Sequence, residues 1–109
     1  MSFHNRSALV ALLAAGLLPS VAAASSDDAW AAMRTDVSAK CLKAAAGSIE
    51  KPRAVVDPFG SESFGLALVS GKPKGAKGKI TQICVYNKQT KTVELGGELT
   101  EQMLKTPAK

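Results

Sequence analysis

Cys41 and Cys84 are the two thiols of this 109-residue chain, and 43 positions separate them. A redox pair of the C-x-x-C kind needs two intervening residues, so this spacing does not make one. A zinc set is also out of reach, because the single histidine, His4, lies in a leader that is expected to be removed. Two cysteines in a small exported domain pair most simply with each other, and a Cys41–Cys84 disulfide is expected. Closing so long a loop contributes roughly 4 kcal/mol in the chain-entropy account. That is a large share of the stability of a small domain.

The second group with chemical potential is "VSGKPKGAKGKI", Val69 to Ile80, in which Lys72, Lys74, Lys77 and Lys79 stand among three glycines and a proline. It is not a phosphate cradle. A Walker A loop places a glycine five positions before Gly-Lys-Ser/Thr, whereas Gly78-Lys79 is followed by Ile80 and position 73 is proline. The segment also lacks the arginine that reads base edges and the aromatic that stacks on bases, so nucleic acid is not an expected partner. Two readings remain, a solvated hairpin tip and an electrostatic contact with an anionic surface. Each lysine near an anionic membrane is worth about 1 kcal/mol, so four give a millimolar-scale attraction at best. The loop steers; it does not hold.

Catalysis is not expected. Without a histidine after the leader, no Ser-His or Cys-His arrangement can be built. Asp57, Glu62, Glu94 and Glu98 are the available carboxylates, and they fall at turns and strand ends where exposed acids are ordinary. No cofactor and no metal are expected. The most distinctive remaining stretch is "DPFGSESFG", where Asp57-Pro58 and Gly60 set a turn and Ser61, Glu62 and Ser63 form a candidate recognition turn.

The chain begins "MSFHNRSALVALLAAGLLPSVAAASSDDAW". Arg6 supplies a charged n-region, Ala8 to Leu18 a short apolar run, and Pro19 interrupts it. Ala22 and Ala24 satisfy the small-residue rule, which places cleavage between Ala24 and Ser25. The run is short for a bilayer span of about 20 residues. Residues 1–24 therefore read as a secretory signal, 25–97 as one small domain and 98–109 as a tail that is weakly helical or disordered. The formal charge of the whole chain is +5. Loss of Arg6 leaves the remainder basic.

These residues must be positioned by a helix and a sheet. "SSDDAWAAMRTDVSAKCLKAAAGS" carries Ser26 as a cap, Asp27 and Asp28 near the positive end of the dipole, and Gly47 as a stop. At 100° per residue Trp30, Met33, Val37, Cys41 and Ala44 share a face, with Trp30 as a core anchor. "RAVVDPF", "SFGLALVSG", "KITQICVYN" and "KTVEL" read as strands. The expected class is α+β, one amphipathic helix packed on a three- to four-stranded antiparallel meander, two layers joined by the disulfide.

One feature of the alternation resists a closed core. If Cys84 faces the helix, so do Ile80, Gln82 and Tyr86, while Ile83 and Val85 face away, joined by Ala67 and Val69. A bulge, or the tail folding across with Leu99, Met103 and Leu104, would cover them. A dimer or partner surface is the alternative. The expected function is a non-catalytic binding module of the bacterial envelope, periplasmic or secreted, acting as adaptor or inhibitor of another exported protein. Its alternative is an electrostatic binder of anionic lipid or polysaccharide through residues 71–79.

Overall fold

Val37, Cys41 and Ala45 follow one another at four-residue spacing, which lines one face of a helix, and none of the three has exposed surface (0%). The computed structural model describes residues 18–106. They form α1 (Leu18–Ala45), β1 (Ile49–Val56), β2 (Phe64–Pro73), β3 (Ile80–Asn87), β4 (Val93–Leu95), β5 (Leu99–Thr100) and α2 (Glu101–Lys105). The chain divides into two units at Ala31/Ala32, and the sheet, the disulfide and the sites described below belong to the second. Most of the expected signal segment lies outside the described residues; Ala24 and Ser25 are in helical backbone.

The fold is α+β as expected, a helix on an antiparallel sheet with the order β1-β2-β3-β4, β5 also pairing β3. Three local expectations are corrected. Ser26 is interior to α1 rather than its cap, because the alanines before it propagate the helix back to Leu18. Ala44 is exposed and Ala45 takes its place in the core, at the tight turn (Ser48 N–H to the Ala45 carbonyl, 3.0 Å) that leads to buried Ile49. Trp30 is half-buried rather than buried, and the outermost helical member of the buried cluster is Val37, with Met33 packed against it. β1 also starts earlier than expected and contains Pro52. A proline is tolerated there because β1 is an edge strand and its ladder is irregular between Glu50 and Arg53.

On the core face of the sheet β2 contributes small residues and β3 larger ones. Gly65, Ala67 and Val69 of β2 face the helix beside Ile80, Cys84 and Tyr86 of β3. The disulfide joins Cys41 of α1 to Cys84 of β3 with their Cα atoms 6.0 Å apart, which draws helix and sheet together. Cys84 pairs with Ala67, and Tyr86 with Gly65. A Cβ at Gly65 would stand 2.7 Å from Val37 Cγ2. Larger side chains on this side of β2 would hold the helix off and prevent the bridge. Gln82, also on this face, is 7% exposed and satisfied, donating to the Gly96 carbonyl at 3.0 Å.

Candidate functional site

Because the small side of β2 faces the helix, its large side faces out. Leu68 pairs with Val55 of β1 on one side and Ile83 of β3 on the other, so the three side chains form one row across the sheet, roughly 10 Å long. They are 69% (Val55), 48% (Leu68) and 45% (Ile83) exposed. Phe64 lies on the same face, and Leu66 and Val85, half-buried, fill in between. Ile83 and Val85 thus lie on the uncovered side as expected. Their companions are Leu66 and Leu68 instead of Ala67 and Val69, for the packing reason given above. The tail does not close this face: Leu99 adds to β3 beside Thr81, but Met103 and Leu104 of α2 stay 54% and 58% exposed. Residues 107–109 lie outside the described residues.

Polar and charged residues rim the row. Register places Arg53, Ser70 and Thr81 along one side of it, and Glu94, beside Val85, along the other. Beyond Arg53, Lys72 of β2 pairs with Glu50 of β1 at 2.9 Å. The four lysines are therefore not one cluster. β2 runs on to Pro73, which puts Lys72 in a strand with an acidic partner. Lys74, Lys77 and Lys79 are exposed in the turn that follows, where Gly75 and Gly78 take positive φ (74° and 92°).

The candidate recognition turn is organised by its own hydrogen bonds. Asp57 Oδ1 accepts from the backbone N–H of Phe59 (3.1 Å) and Gly60 (3.0 Å), and these hold its carboxyl below the usual carboxylate range. Ser61 Oγ accepts from Phe64 N–H at 3.2 Å. Lys88 Nζ donates to the carbonyls of Phe59 (2.9 Å) and Ser61 (2.6 Å), and Arg34 of α1 to that of Pro58 (3.2 Å). Ser61, Glu62 and Ser63 are all exposed; Ser61 is also engaged within the turn, and the Ser63 carbonyl accepts from the Lys88 N–H at 3.1 Å. Phe59, 56% exposed, is the large side chain this turn presents. Sequence reasoning passed over it in favour of the serines, although an aromatic between a proline and a glycine was the available signal.

A second cluster, Tyr86, Asp36 and Lys40, lies where helix meets sheet. Tyr86 donates to Asp36 Oδ2 at 2.6 Å, and Lys40 Nζ to the same oxygen at 3.0 Å and to the Lys91 carbonyl at 2.8 Å. The Tyr86 hydrogen bond and then Lys40 lower the Asp36 pKa. Burial, and then Asp36, push the Tyr86 phenol up to about 12. A phenol held protonated and a carboxyl held ionised suit a structural clasp better than proton exchange near neutral pH.

The chain matches no protein family, no curated protein and no solved structure. Among the described residues no three His, Cys, Asp or Glu side chains are grouped to hold a metal ion, and no helix is long and apolar enough to cross a membrane. An open groove of about 480 Å3 lies between α1 and the edge of β1, lined by Arg34, Thr35, Ser38, Ala39, Leu42 and Val56.

Proposed function

We propose that the protein is a non-catalytic binding module that docks onto another exported protein, as adaptor or inhibitor, through the outer face of its sheet. The observation that carries this is the open row Val55–Leu68–Ile83. Such a row on a small domain has no role in its own core, and contiguous apolar surface with a polar rim is the usual mark of an interface. Covering three half-exposed aliphatics contributes about 3–5 kcal/mol, comparable with the lower bound on the cost of association. Affinity therefore needs further anchors, and Phe64 and Phe59 are the exposed aromatics that suit the task.

The experiment is capture from native envelope extract by the oxidised protein, at low and moderate salt, beside Leu68→Ser/Ile83→Ser and Lys74→Ala/Lys77→Ala/Lys79→Ala variants. A protein retained at moderate salt by wild type and by the lysine variant, and lost with the row variant, supports the reading. Binding to anionic lipid or polysaccharide that fades with salt and is lost only with the lysine variant replaces it with the electrostatic alternative. That alternative has its own observation, the three exposed ammonium groups on one glycine-rich turn.

A further inference from the structure

Among the described residues β1 is the first strand in the sheet order and pairs with β2 alone, so one side of its backbone carries no strand. The Asp57 N–H bonds the Leu66 carbonyl at 2.8 Å, so Asp57 turns its backbone groups towards β2, as Val55 and Arg53 do in alternation. The N–H and C=O groups of Ala54 and Val56 then point away from the sheet. Edge strands are commonly guarded against pairing. Here the guards, the irregularity after Glu50 and Pro52 within it, stand at the start of the strand. The stretch from Arg53 to Asp57 has neither proline nor bulge, and its two exposed charges, Arg53 and Asp57, are opposite in sign.

That stretch reads Arg-Ala-Val-Val-Asp, and it is self-complementary. We propose that two copies of the chain pair antiparallel through β1, with Val55 on the two-fold axis. In this register Ala54 of each copy faces Val56 of the other, and four backbone hydrogen bonds form between them. On the outer face Val55 meets the partner's Val55, and Arg53 of each copy comes opposite the other copy's Asp57, giving two ion pairs across the junction. Asp57 Oδ1 is occupied by the turn amides while the carboxyl as a whole stays exposed and charged. The next outward-facing pair is Pro52 opposite the partner's Pro58, neither of which has an N–H, so the ladder ends there at both ends. A slip of the strand centre to Ala54 or Val56 sets Arg53 or Asp57 against valine and forfeits both ion pairs.

The two-fold axis stands perpendicular to the sheet, so both helices lie on one side and both outer faces on the other. The rows then join end to end: Ile83, Leu68 and Val55 of one copy run on into Val55, Leu68 and Ile83 of its partner. Val55, the most exposed large apolar side chain of the described residues at 69%, becomes the centre of the doubled row. This inference does not rest on the proposed function, since it concerns the isolated protein.

The test is sedimentation equilibrium of the oxidised protein across the micromolar range, with three variants. Wild type is expected to sediment at twice the chain mass. Arg53→Glu, which sets like charges opposite each other twice, is expected to raise the dissociation constant about tenfold or more. Val55→Cys is expected to give a covalent dimer under mild oxidation, because Cα atoms of a non-hydrogen-bonded antiparallel pair stand about 4.5 Å apart, within disulfide reach. Leu68→Cys, also exposed (48%) but one strand further in, is expected not to cross-link. A wild type that stays monomeric overturns the proposal. So does cross-linking of Leu68→Cys as readily as Val55→Cys, which would mean that copies stack face to face.

Discussion

The Tyr86 hydroxyl donates to Asp36 Oδ2 over 2.6 Å, joining the same helix to the same strand that the Cys41–Cys84 bridge joins. Tyr86 stands two residues after Cys84, and Asp36 five before Cys41. Helix and sheet are thus fastened twice, once covalently and once by a charged hydrogen bond reinforced by Lys40. The second fastening is pH-sensitive at both extremes, and the first is not.

At alkaline pH the tyrosine governs. Its folded-state pKa is about 12 against 10.0 when unfolded, so the stability it contributes is complete below 10.0 and is lost as pH rises towards about 12. Thermal melts across that interval should show a falling midpoint in wild type and a flatter one in Tyr86→Phe. At neutral pH the variant should already be less stable by about 2 kcal/mol, the worth of a hydrogen bond to a charged group.

In acid the carboxylates govern. Asp36 and Asp57 both have pKa values lowered from 3.8, so their contributions are present above that value and disappear as pH falls below it. The midpoint should drop through this range. Asp36→Asn should remove part of the drop, and Asp57→Asn a separate part.

Reduction should matter more than any single polar contact. The bridge closes a 43-residue separation between two fully buried residues, which corresponds to about 4 kcal/mol. Chemical denaturation with and without reductant should differ by an amount of this order. Superimposable curves would contradict it.

Gly65→Ala tests the close approach of helix and sheet. The added Cβ would stand 2.7 Å from Val37 Cγ2 and 3.1 Å from Tyr86 Cδ1. Both neighbours are fixed, Val37 in the fully buried core and Tyr86 by its bond to Asp36. The substitution should cost about 1–3 kcal/mol and slow disulfide formation on refolding, measurable by thiol trapping.

Much of this fold was legible in the residues. Alanine content and cap-like residues marked the helix, two-residue alternation marked β2 and β3, and two cysteines in a small chain read as exported marked the bridge. Once Cys84 was assigned to the core, alternation alone assigned Ile80, Gln82 and Tyr86 with it and sent Ile83 and Val85 outward. The helix, the strands and the inward set of β3 follow from local backbone geometry, and the bridge from cysteine count.

What the sequence left open was the side of β2 that turns inward. Phe64-Gly65-Leu66-Ala67-Leu68-Val69 alternates between large apolar and small apolar residues, and a hydrophobicity pattern favours burying the large set. Tertiary structure decided for the small set, because a helix held with Cys41 Cα 6.0 Å from Cys84 Cα leaves no room for leucines beneath it. The same constraint leaves Leu68 and Ile83 in the open row. It was also tertiary pairing that separated Lys72 from the other lysines, since its partner Glu50 lies 22 residues away. Local propensity wrote the elements; the distance imposed by one covalent bond chose which faces they show.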